Sequence, residues 1–119
     1  MKEFENSVYY NGSDYCMQSL KLQEISENAE TPFYVYDMDY IIKKYNKLKA
    51  SFPWENVRLF YAMKANFNPV MLKIMKENGF CLDTVSPAEV LLAKKIGFDS
   101  QNILFTANNM TDKDMEVIK

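Results

Sequence analysis

The sequence contains no histidine. That absence removes Ser–His–Asp and Cys–His catalysis, and imidazole-ligated metals, from anything the chain does unaided. Cysteine is nearly as scarce. Cys16 and Cys81 stand far apart, two thiols cannot supply a four-ligand zinc site, and a reducing compartment keeps them free. No metal site is expected. Three glycines in 119 residues leave no room for a glycine-rich dinucleotide loop. No apolar run approaches the roughly 18 residues that a membrane span needs. The charged start, Met1-Lys2-Glu3-Phe4-Glu5, has no signal-peptide core. A formal net charge of −2 offers no basic surface to nucleic acid or anionic lipid. A cytoplasmic protein without nucleic-acid or membrane partners is expected, with lysine and carboxylates as its remaining candidate catalytic groups.

What is present is a globular balance, 48% hydrophobic and 25% charged. Residues 1–30 form a polar, tyrosine-rich arm. Asn11-Gly12 between β-prone stretches predicts a hairpin, and Leu20 to Glu30 a short helix. From Thr31 the pattern becomes regular. Phe33–Tyr36 reads as a strand, and Asp37 caps a helix carrying Ile41, Tyr45, Leu48 and Phe52 at helical spacing. Strands are predicted over Val57–Met63, Phe80–Val85 and Asn102–Thr106. Helices follow them, opened by Asn68-Pro69, Ser86-Pro87 and Thr111. Strand starts near 57, 80 and 102 are 23 and 22 residues apart, the period of right-handed parallel strand–helix units. An open doubly wound sheet and an eight-fold barrel both use such units, and the missing glycine loop favours the barrel. A barrel needs roughly 250 residues. The chain is therefore expected to be the front part of a longer protein, ending inside a helix.

Lys64 is the leading candidate for chemistry. Alternation predicts Arg58, Phe60, Ala62 and Lys64 on one strand face, with Lys64 at the carboxyl end, where barrel active sites lie. A lysine amine desolvated there can form a Schiff base. On position alone, a solvated strand-end lysine is the commoner occurrence. Asp83, sharing a face with Cys81 and Val85, is expected one strand away, as a partner for the lysine or a cofactor, or as a solvated carboxylate. Ser86-Pro87-Ala88-Glu89 fits a capping box, so Glu89 has a structural role available beside any catalytic one. Asn66 and Asn68 suit the turn after Lys64, Asn68 as a helix cap.

Tyr61-Ala62-Met63-Lys64-Ala65-Asn66 resembles the cofactor-lysine segment of the fold-type III, alanine-racemase-like pyridoxal-phosphate decarboxylases. Three further segments resemble the same family in the same order: Thr31 to Asp37, Leu82 to Glu89, and Ile103 to Asn109. Within it, the Lys-Ala-Asn and Phe-Thr-x-Asn segments are most similar to diaminopimelate decarboxylases. Met63, Pro87 and Ala107 depart from the commoner pattern. The resemblance implies an α/β fold: residues 31–119 as the first half of a (β/α)8 TIM barrel, and residues 1–30 as an arm that joins a β domain in the full-length protein. It implies pyridoxal 5′-phosphate as cofactor. Lys64 and Asp83 would bind it, and Lys64, Asp83 and Glu89 would serve catalysis. The implied activity is decarboxylation of a small amino acid by a homodimer, meso-diaminopimelate to L-lysine in lysine biosynthesis, with ornithine or arginine as alternative substrates. A catalytically dead decarboxylase-like binding protein is the alternative from another class, and it has no need of Lys64, Asp83 and Glu89. The family's phosphate loop, ring-stacking histidine and partner-subunit cysteine have no counterpart in these residues.

Overall fold

The computed structural model describes residues 7–119. The N-terminal stretch Met1–Glu5, read above for a signal peptide, lies outside the described residues. The chain divides into two units, one ending at Lys44 and the other running Tyr45–Lys119.

In the first unit, β1 (Val8–Tyr10), β2 (Tyr15–Met17) and β3 (Leu20–Lys21) form an antiparallel meander that runs into α1 (Leu22–Glu27). The expected hairpin is present. Asn11 builds its loop, donating its N–H to the Asp14 carbonyl at 3.0 Å, while its Oδ1 accepts from Ser13 N and Asp14 N. Lys21 pairs with Asp14 at 3.0 Å. The expected helix begins two residues late because Leu20 and Lys21 pair with β2 instead. Phe33–Tyr36 corrects the sequence reading: it forms no strand and pairs with none among the described residues. β-prone composition does not make a strand without a neighbour to bond, and Tyr34 is 88% exposed. Asp37 caps α2 (Met38–Ala50) as expected, its Oδ1 accepting from Tyr40 N at 2.9 Å.

In the second unit, β4 (Phe60–Ala62), β5 (Cys81–Thr84) and β6 (Ile103–Phe105) form a parallel sheet in sequence order. The connections are α3 (Pro69–Glu77) and α4 (Pro87–Ile96), and α5 (Asp112–Ile118) follows β6. This is the predicted α/β alternation, with strands shorter than predicted. The ladder nonetheless continues past the strand ends, through Cys81 N to Leu59 O and Thr106 N to Thr84 O. Asn68, Ser86 and Thr111 cap the three helices by accepting from Val70 N, Glu89 N and Asp114 N. α3 and α4 end alike. Gly79 and Gly97, at φ 79° and 97°, take the left-handed turn that closes each helix. The next residue, Phe80 or Phe98, then returns its N–H to Met75 or Ala93 and buries its ring. Tyr45 stacks on Phe80 and donates its hydroxyl to Gly79 O.

The registers Tyr61–Leu82–Ile103 and Ala62–Asp83–Leu104 fix the two sheet faces. One face carries Tyr61, Leu82, Thr84, Ile103 and Phe105 and is covered by α4. Leu82 and Thr84 are fully buried there, beside Met63, Leu72, Met75 and Ala93. Thr84 is the buried polar residue of this core, and its hydroxyl donates to Leu104 O at 2.9 Å. The opposite face carries Phe60, Ala62, Cys81, Asp83 and Leu104 and is more open, with Leu104 43% exposed.

Candidate functional site

The carboxyl end of the sheet differs from the sequence reading at its most important residue. β4 stops at Ala62, and Met63–Ala65 tightens into a 3-10 turn. Strict alternation therefore does not reach Lys64. The competing force is local. Asn66 accepts from Asn68 N at 3.0 Å and Asn68 caps α3, so the chain must turn before another ladder rung can form. Met63 is fully buried and Lys64 is exposed. Lys64 still stands two residues past Ala62, which is directly opposite Asp83, and its turn is in contact with β5. It forms no ion pair and donates no hydrogen bond among the described residues. Small residues flank it at Ala62 and Ala65. Lys73 and Lys76 on α3, and Lys94 and Lys95 on α4, are exposed on helices instead.

Asp83 lies half-buried on the open face, as alternation predicts, opposite the buried Leu82 and Thr84. Its Oδ1 accepts from the Thr106 hydroxyl at 2.6 Å. Sequence reasoning did not single out Thr106. Its signal was the alternation Asn102, Leu104, Thr106 combined with the β5–β6 register. Glu89 is engaged at the start of α4. Its Oε2 accepts from Val85 N at 2.7 Å, and its own N–H donates to Ser86 Oγ at 3.3 Å. The carboxylate thus closes on the residue before the cap rather than on the cap's own N–H, a shifted form of the expected capping box.

The amino end of the same face is tied together. Arg58 donates to Gln101 O and to Asn102 Oδ1, the latter at 2.8 Å, and its guanidinium lies 3.7 Å from Cys81 Sγ. Asn102 Oδ1 also lies 3.6 Å from that thiol, which is buried and free. The polar groups at this end satisfy one another. At the carboxyl end they do so only in part, through Thr106 and Asp83. The Lys64 amine is uncommitted, and Asp83 Oδ2 accepts no hydrogen bond among the described residues.

An uncommitted primary amine on a turn that touches the strand of a half-buried carboxylate, at the carboxyl ends of parallel strands, fits a cofactor held through an aldehyde carbon. The same residues supply no phosphate cradle, since Gly79 and Gly97 both precede their strands. Residues 38–119 match the family described as pyridoxal-dependent decarboxylase, pyridoxal binding domain. The chain belongs to this family. The cofactor of these enzymes is pyridoxal phosphate. A diaminopimelate decarboxylase from Aquifex aeolicus is 31% identical over 97% of the chain and 27% of the relative. The chain is also similar to a solved diaminopimelate decarboxylase from M. jannaschii in complex with L-lysine, at 26% identity and a TM-score of 0.87. That match covers 95% of this chain and 27% of the other. A lysine/ornithine decarboxylase from Vibrio vulnificus, solved with cadaverine, gives 27% identity and a TM-score of 0.74, covering 82% of this chain and 26% of the other. The chain thus spans about a quarter of the length of the decarboxylases it matches. No helix among the described residues is long and apolar enough to cross a membrane.

Proposed function

We propose that the chain supplies the cofactor-lysine portion of a pyridoxal-phosphate carboxy-lyase that converts meso-diaminopimelate to L-lysine in the full-length protein. Lys64 is the residue that holds the cofactor, and the observation that carries this is its uncommitted amine just past the carboxyl end of β4. Bound pyridoxal phosphate supplies an electron sink for the carbanion left when CO2 departs. The chain's own residues have separate tasks. Lys64 Nζ anchors the cofactor, and when released it is placed to carry a proton. Asp83, on the neighbouring strand, serves the cofactor and the lysine that holds it. Glu89 holds the strand–helix turn that follows Asp83. Ala62 and Ala65 leave space beside the lysine. Residues 31–119 are read as the first half of an eight-stranded barrel, and residues 1–30 as an arm joining a β domain. The full-length protein is read as a cytoplasmic homodimer.

The diaminopimelate relatives, one of them solved with the product L-lysine, support the substrate. The lysine/ornithine decarboxylase neighbour supports a second reading, in which a shorter diamine precursor such as ornithine is accepted. Rates of CO2 release from meso-diaminopimelate, ornithine and arginine separate the two. The lysine assignment is tested by borohydride reduction of the cofactor-loaded full-length protein and peptide mapping. The phosphopyridoxyl mass is expected on the peptide containing Tyr61 to Asn66. Lys64→Arg keeps the charge and is expected to abolish both the label and the activity. A label on another lysine, or normal turnover by Lys64→Arg, refutes the assignment.

A further inference from the structure

Thr106 stands one residue past β6, yet its backbone still belongs to the sheet, because its N–H donates to the Thr84 carbonyl at 2.9 Å. Alternation from Leu104 brings its side chain to the open face beside Asp83. There the Thr106 hydroxyl donates to Asp83 Oδ1 at 2.6 Å, within the range of charge-assisted O–H···O bonds. The terminal torsion of an aspartate is broad and roughly two-fold. One strong bond from a donor whose backbone is anchored in the ladder selects a single orientation of the carboxylate, and it leaves Oδ2 unengaged among the described residues.

We propose that Thr106 is a positioning residue that orients the Asp83 carboxylate for its work with Lys64. This rests on the reading that Lys64 holds the cofactor with Asp83 beside it. Valine matches the shape of threonine without the hydroxyl, and serine keeps the hydroxyl without the methyl. In the full-length protein, Thr106→Val is expected to weaken the binding of pyridoxal 5′-phosphate to the apoprotein about tenfold, the effect of losing one hydrogen bond to a charged group. It is also expected to change the visible circular dichroism of the bound cofactor, lower kcat more than it changes KM, and leave the melting temperature close to that of the parent. Thr106→Ser is expected to restore cofactor affinity to within about twofold, since the hydroxyl-to-carboxylate bond is regained. In an Asp83→Asn background, Thr106→Val is expected to add little, because its action passes through the carboxylate. An undiminished effect in that background, failure of serine to restore affinity, or a Thr106→Val protein indistinguishable from its parent overturns the proposal. Borohydride mapping of the unmutated protein separates the two failures. An unlabelled Lys64 overturns both readings, whereas a labelled Lys64 with a silent Thr106→Val overturns this one alone.

Discussion

Glu89 offers the sharpest separation between holding a fold and performing chemistry. Its Oε2 accepts from the half-buried Val85 N–H at 2.7 Å. A hydrogen bond to a charged group contributes about 1.5–3 kcal/mol, against about 1 for a neutral pair. Glu89→Gln keeps an acceptor and removes the charge, so the turn should weaken by about 0.5–1 kcal/mol, including the lost attraction of the α4 amino end. Glu89→Ala leaves the Val85 N–H without its partner and should cost about 2 kcal/mol. Hydrogen exchange at the Val85 amide reads this directly. Protection should fall roughly two- to fivefold for glutamine and roughly thirtyfold for alanine, at 1.4 kcal/mol per factor of ten. If Glu89 only braces the turn, the glutamine variant should keep its turnover rate; a large fall in turnover with near-normal protection would give the carboxylate a catalytic part as well. Unchanged Val85 protection in Glu89→Ala would refute the structural reasoning, because the bond that closes the turn would then be contributing nothing.

Two other outcomes test the frame around the site. Leu82 is fully buried on the helix-covered face, so Leu82→Ala should cost about 2–5 kcal/mol in urea denaturation, and Leu82→Met less than about 1.5. The Thr111 hydroxyl, then its backbone N–H, holds the Asp114 carboxyl below its usual value of 3.8. A lowered value means that the cap contributes fully above pH 3.8 and is lost as the pH falls below it. Exchange at the Met115 amide, which bonds Thr111 O, should therefore quicken on acidification, and Asp114→Asn should remove that acid-dependent step.

Much of this arrangement is local and was legible. Asn68-Pro69, Ser86-Pro87 and Thr111 specify helix starts through side chains two or three residues from the amides they bond. Gly97 marks a helix end because its left-handed turn suits no other residue as well. Alternation in Cys81 to Val85 correctly separated Asp83 from the buried Leu82 and Thr84. The misses are places where distant pairing decides. Phe33–Tyr36 has strand composition but no ladder partner among the described residues. Lys64 lost its strand to a turn built by Asn66 and Asn68. Thr106 meets Asp83 across 23 residues of sequence, a contact that exists only once the β5–β6 register is known.

That register also explains why Arg58 and Lys64, cations six residues apart, have different capacities. Arg58 belongs to the amino end of the open face, where Gln101 O and Asn102 Oδ1 occupy its donors. A guanidinium does not give up its proton in proteins, so even an untied Arg58 would be a poor nucleophile. Lys64 carries a primary amine rather than a guanidinium, and at its end of the sheet, where Thr106 and Asp83 bond each other, it donates to nothing among the described residues. Tying Lys64 into a fixed ion pair would make the turn more rigid and would occupy the amine. The exposed, unpaired lysine is thus a weak contributor to the fold for the same reason that it is available to a cofactor. Asp83 shows the intermediate arrangement: one oxygen committed to Thr106 for orientation, the other uncommitted.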